Sequence, residues 1–139
     1  MADDTTVAEL IEGLKSGSAI LRLRCAQDLG LYGTAAAVPA LAAALKDEVC
    51  RVREYSAWAL GQLGPEAVEA VPMLMEALKD EDAEVRTESA GALGRIGPAA
   101  EAAVPALLEA LKDPDEGVRK SCASALDRID PAAKDDRRR

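Results

Sequence analysis

Histidine is absent from this 139-residue chain, phenylalanine is absent too, and the aromatic residues reduce to Tyr32, Tyr55 and Trp58. A chain without imidazole loses the commonest general base and the commonest metal ligand, which removes many enzyme mechanisms. Three cysteines (Cys25, Cys50 and Cys122) form no Cys-x-x-Cys pair. Their odd number fits reduced thiols in a cytosol better than a disulfide framework. No apolar run approaches the roughly 20 residues of a spanning helix, so no membrane segment is expected. Basic charge is in the minority: 17 Lys and Arg against 25 Asp and Glu give a net charge of −8. That balance counts against broad binding of nucleic acid or of an anionic membrane. The opening "MADDTTVAEL" is acidic and carries no apolar signal region, so a cytoplasmic protein is expected.

What the chain does contain is a repeat. Val-Pro occurs at Val38-Pro39, Val71-Pro72 and Val104-Pro105, and Val-Arg at Val52-Arg53, Val85-Arg86 and Val118-Arg119, each step being 33 residues. Leu60, Leu93 and Leu126 keep the same register. A fourth copy at the front is offset by 31 residues, with Val7, Leu10, Leu14 and Lys15 matching Val38, Leu41, Leu45 and Lys46. The missing two residues fall in a shorter loop between Gly33 and Val38. The division expected is a single domain of repeats at approximately 5–33, 34–66, 67–99 and 100–131, with a polar tail at 132–139. Because "DPAAKDDRRR" brings no fifth Val-Pro, the array is expected to stop there as a small complete unit.

Each repeat reads as two helices. "VPALAAALKD" spaces its leucines four apart among alanines, and its Pro suits a first helical turn, or marks a kink if the helix starts earlier. "VCRVREYSAWALGQLG" sets Val52, Ser56, Leu60 and Leu63 on one face, and Gly64-Pro65 stops it. Ser18, Asp82 and Asp115 stand at equivalent N-cap positions, Val49 occupies the slot in the second repeat, and Thr6 with Glu9 reads as a capping box. One hairpin cannot bury its apolar face; stacked hairpins make a continuous core. The fold class expected is all-α, a right-handed α-solenoid of four helical hairpins, about eight helices.

The stretch "LKDEDAEVRTESAGALGRIGPAAEAAVPALLEAL" resembles the short HEAT-like repeat associated with phycobilisome lyase subunits and many other bacterial and archaeal proteins. The resemblance covers all four repeats through Asp-x5-Arg, Ala-Leu-Gly and Val-Pro-x-Leu. It implies a ladder between repeats, here Asp47, Asp80 and Asp113 with Arg53, Arg86 and Arg119. Ser16 stands in place of the first Asp, so a gap is expected at the N-terminal end. The resemblance further implies that the second helices line a concave surface. Some HEAT-like hydroxylases bind iron through His-Glu pairs, a site this chain cannot build.

At about 100° per residue, Arg51, Tyr55, Trp58 and Gln62 form one stripe nearly opposite the core face of the second repeat. Equivalent stripes are Ile20, Arg24, Gln27 and Leu31, then Glu84, Glu88, Gly91 and Arg95, then Gly117, Ser121, Ser124 and Arg128. Framework positions stay nearly constant while these vary, which packing alone does not require. The candidate protein-binding residues are therefore Arg24, Gln27, Leu31, Arg51, Tyr55, Trp58, Gln62, Glu88, Gly91, Arg95, Ser124 and Arg128. Tyr55 and Trp58 serve there as anchors, with Gly91 and Ser124 leaving room and the arginines forming a polar rim suited to an acidic or amphipathic peptide. Alternatively, Trp58 lies over Gly91 and Tyr55 covers the stem of Arg24.

The leading expectation is a non-catalytic scaffold or adaptor for a protein or peptide, with no metal, cofactor, nucleic-acid or membrane partner, as a monomer or weak homo-oligomer. A bilin lyase-type subunit and a self-assembling structural protein are the alternatives. Cys25 and Cys122 align with Ser56 and Ser89 in a small core slot and are expected to be buried.

Overall fold

Caps, prolines and glycines recur every repeat, and they cut the chain into short helices of alternating length. The computed structural model describes residues 4–133, and its elements are all helical. Eight α-helices occur among the described residues: α1 (Asp4–Gly13), α2 (Ala19–Tyr32), α3 (Val38–Ala44), α4 (Cys50–Leu63), α5 (Val71–Ala77), α6 (Ala83–Ile96), α7 (Val104–Ala110) and α8 (Glu116–Ile129). Odd-numbered helices are the first of each hairpin and even-numbered helices the second. Three-ten turns at Ala35–Ala37, Gly64–Ala70 and Gly97–Ala103 lead into α3, α5 and α7. Pro39, Pro72 and Pro105 therefore sit in the first α-turn, where a missing N–H costs least. The shorter first turn absorbs the shorter first repeat.

The boundaries of the second helices follow their caps. Ser18 accepts from the Leu21 N–H, Asp82 from those of Glu84 and Val85, and Asp115 from that of Val118. Val49 has no side chain to cap α4; instead the Asp47 carboxylate accepts the Val49 N–H at 2.9 Å. Gly64 and Gly97 end α4 and α6 with φ of 62° and 81°, values that favour glycine. One expectation fails here: α1 already begins at Asp4, so Thr6 lies inside its first turn and is no N-cap.

The second helices stack side by side, α2 on α4, α4 on α6 and α6 on α8, with each first helix against its own partner. Leu41, Leu60, Leu74, Leu93, Leu107 and Leu126 are fully buried, as are Val52, Val85 and Val118. The repeated leucines, with Val118, thus fill one continuous core, the arrangement a lone hairpin cannot achieve. Cys25 and Cys122 are buried in it, as their alignment with Ser56 and Ser89 predicts.

The Arg–Asp ladder forms, with its direction and its gap corrected. Arg22 pairs with Asp47, Arg53 with Asp80 and Arg86 with Asp113, each through Nε at 2.8–2.9 Å and Nη2 at 3.2 Å. Each arginine also donates through Nη1 to a carbonyl of its own repeat: Ser16, Asp47 and Asp80 respectively. The aspartates accept further N–H groups at the start of the following helix, so one carboxylate ties two repeats and a cap together. Since Arg22, Arg53 and Arg86 reach forward, the N-terminal rung is complete, and Ser16 gives Arg22 its carbonyl while its Oγ accepts the Ser18 N–H at 3.1 Å. At the other end Arg119 repeats the contact within its own repeat, donating to the Asp113 carbonyl at 2.7 Å.

Candidate functional site on the second-helix wall

The stripes of variable residues run along the stacked second helices, and all of them reach solvent. Arg24, Leu31, Arg51, Gln62, Arg95, Ser124 and Arg128 are exposed; Gln27, Tyr55, Trp58, Glu88 and Gly91 are half-buried. The opposite faces hold the buried valines and leucines. This separation follows from helical period alone.

Tyr55 and Trp58 meet edge to face, with ring centroids 6.2 Å apart and planes at 76°. Trp58 does not lie over Gly91. Its six-membered ring covers Gly30 of α2, where any Cβ would collide with it. Side chains of a helix lean toward its N-terminus. In this stack Trp58 also leans sideways, onto the preceding helix. Arg95 does the same over Gly61 and Arg128 over Gly94, their Cδ atoms 3.5 and 3.6 Å from the space a Cβ would fill. With the Gln62 amide turned so that its oxygen faces both donors, it accepts from Trp58 Nε1 at 3.1 Å and from Arg95 Nη1. Trp58, Gln62 and Arg95 are thereby joined across α4 and α6.

Gly91 stays open; a Cβ there would meet nothing nearer than Ser121 Oγ at 3.8 Å. Beside it, a groove of about 170 Å³ between α6 and α8 is lined by Gly91, Gly94, Arg95, Ser121, Ser124, Ala125 and Arg128. The structure thus brings Gly91, Arg95, Ser124 and Arg128 of the predicted set around one depression. Ser121 Oγ donates to the Thr87 carbonyl at 2.8 Å and pins the two helices there. Arg24, Gln27 and Leu31 lie on α2, at the far end of the wall.

Charge is divided along the wall. Arg95 and Arg128 occupy the last turns of α6 and α8. Toward the helix starts, Glu54 and Glu88 are half-buried on neighbouring helices, near Glu84. Burial, reinforced by the surrounding carboxylates, pushes both Glu54 and Glu88 above the usual carboxylate range, against the pull of Arg51 and Arg95. Arg51 reaches Glu54 at 3.6 Å. Burial also raises the thiol of Cys122 to about 11 and that of Cys25 above its ordinary value, which leaves both unreactive.

Sequence reasoning missed two features of the wall. Gly61 and Gly94 are close-approach points, where an added Cβ would lie 3.1 and 2.9 Å from Cα of Ala92 and Ala125. Their recurrence within Ala-Leu-Gly was the available signal. Glu54 gave none, because its equivalents Thr87 and Lys120 share no chemistry with it.

Larger grooves lie elsewhere. One of about 610 Å³ between α5 and α7 is lined by Met75, Leu78, Lys79, Pro105, Ala106 and Asp113 among others. Leu78, Lys79, Pro105 and Asp113 are framework positions that recur in every or nearly every repeat. The α6/α8 groove is instead lined at its rim by residues that change from repeat to repeat.

Stacked helical hairpins joined by an arginine ladder define an α-solenoid of the helical-repeat class. The sequence pattern of the HEAT repeats matches residues 7–69 and 50–127, and the chain belongs to that family. No curated protein matches the sequence significantly. Among solved structures, an engineered protein is 27% identical over 92% of this chain and 63% of its own, with a TM-score of 0.75. Human deoxyhypusine hydroxylase, in complex with glycerol, is 37% identical over 94% of this chain and 45% of its own, with a TM-score of 0.75. The complex of CpcE and CpcF of phycocyanin lyase from Nostoc sp. PCC7120 gives 25% identity over 94% of this chain and 67% of the other, with a TM-score of 0.65. The chain thus spans less than two thirds of the engineered protein and under half of the hydroxylase. No helix among the described residues is long and apolar enough to cross a membrane.

Proposed function

We propose that this protein is a non-catalytic interaction module that holds a carboxylate-bearing segment of a protein partner on its second-helix wall. The observation that carries this reading is the α6/α8 groove, where a floor of Gly91 and Gly94 lies between Arg95 and Arg128 with Ser121 and Ser124 at hand. Guanidinium groups pair carboxylates in a directed, two-pronged geometry, and the small floor admits a side chain or a helix edge. The exposed edges of Tyr55 and Trp58 add rigid contact area at low entropic cost. The acidic patch of Glu54, Glu84 and Glu88 at the other end of the helices fixes the direction in which such a segment lies. Acid–base catalysis fits the wall poorly. Glu54 and Glu88 are both shifted upward, whereas a catalytic pair needs its two values pushed apart. The free thiols suit a reducing, cytoplasmic setting.

A fluorescein-labelled oligo-glutamate peptide provides the test. Its anisotropy should rise on titration with the protein, and Gly91→Leu or the pair Arg95→Glu and Arg128→Glu should weaken binding about 10-fold or more, a loss of about 1.4 kcal/mol. Equal affinity in all three proteins, or tighter binding of oligo-lysine, would defeat the reading.

A further inference from the structure

The outer edge of α2 carries Leu21 and Asp28, at two positions that every later second helix buries. Val52, Val85 and Val118 are 0% exposed on helices that each stack on a preceding second helix, but Leu21 in the same register is 46% exposed. Ile20, Leu31 and Tyr32 are exposed by 73, 62 and 53% beside it. Arg24 and Asp28 lie between these apolar ends, and neither makes an ion pair among the described residues. Ala26, fully buried, points the opposite way.

The face is a chemical palindrome. Read along α2 it runs Ile20-Leu21, then Arg24, then Asp28, then Leu31-Tyr32. We propose that it pairs with the same face of a second copy of this chain, the two α2 helices antiparallel about a two-fold axis level with Ala26. That symmetry sets Ile20 against the other copy's Tyr32, Leu21 against its Leu31 and Arg24 against its Asp28, each contact made twice. Two ion pairs then lie between two apolar clusters, and no like charges face each other.

Head-to-tail stacking of copies is disfavoured by the same register. Where the array sets Gly61 against Ala92 and Gly94 against Ala125, a copy added in front of α2 would bring its Asp127 against Asp28. Two carboxylates would meet at the point of closest helix approach. A 14-residue helix gives a contact about 20 Å long, at the small end of stable interfaces. The dimer therefore forms with rising concentration.

Sedimentation of the full chain tests this. The mass should rise from 14.5 kDa toward twice that value as concentration increases. Arg24→Asp and Asp28→Arg should each hold the chain monomeric with unchanged helicity. A one-to-one mixture of those two variants should dimerise again, because opposite charges then face each other at both pairs. Leu31→Glu, at an exposed position, should also give a monomer. A single-chain mass up to about 1 mM overturns the proposal, and so does a dimer that neither Arg24→Asp nor Leu31→Glu weakens. Peptide binding at the α6/α8 groove is separate from this face and should persist in Asp28→Arg.

Discussion

At the residue scale, the carboxylates of this protein respond to acid in two opposed ways. Burial raises Glu54 and Glu88, so the folded chain holds their protons more tightly than the unfolded chain does. Stability therefore falls as pH rises through the range above the ordinary carboxylate value. Glu88→Gln should raise the melting temperature at pH 7 by about 1–2 °C, and that gain should shrink toward pH 4. Asp113 behaves in reverse. Burial pushes its carboxyl up, but the Asp115 N–H and the Arg86 guanidinium outweigh that and hold it lower than usual. Its contribution is present above the ordinary aspartate value and disappears as pH falls through the lowered one. Melting followed by circular dichroism from pH 8 to pH 2 should show a shallow maximum in mildly acidic solution and then a decline. Trp58 marks where residue-level reading ran out. Its stripe was legible from helical period, but the choice between Gly91 and Gly30 as its seat depends on which way side chains lean in the stack. One helix alone does not contain that information.

At the element scale, the wall glycines divide by what lies opposite them. Gly91 faces open space, and Ala has the higher helix propensity, so Gly91→Ala should stabilise the protein by about 0.5–1 kcal/mol. Gly94 lies where a Cβ would be 2.9 Å from Ala125 Cα, so Gly94→Ala must push α8 away and should cost about 1–3 kcal/mol. Urea denaturation of the two variants checks both signs at once. The helices themselves were largely legible, because caps at Ser18, Asp82 and Asp115 and stops at Gly64 and Gly97 are local chemistry. Thr6 misled because Asp4 and Thr5 before it already belong to α1.

At the scale of the whole molecule, the ladder gives the stack a direction. Each arginine reaches to the next repeat while its carbonyl bond stays at home, so the order of repeats is written into the polar contacts as well as the core. The 33-residue period revealed the pairing of types but not their direction, since Asp47 before Arg53 and Asp80 after it both recur in step with it until the helices are placed. The wall and its groove follow from the same stacking: Gly91 and Ser124 share a depression because α6 and α8 are neighbours.

The most direct measurement is an amide and arginine side-chain NMR titration of the full chain with an oligo-glutamate peptide. Shifts centred on Gly91, Ser121 and Ser124 and on the Nε groups of Arg95 and Arg128, with smaller ones at Tyr55 and Trp58, are predicted. Shifts gathered instead at Met75, Leu78 and Ala106 between α5 and α7, or none at the two arginines, would contradict a binding wall on the second helices.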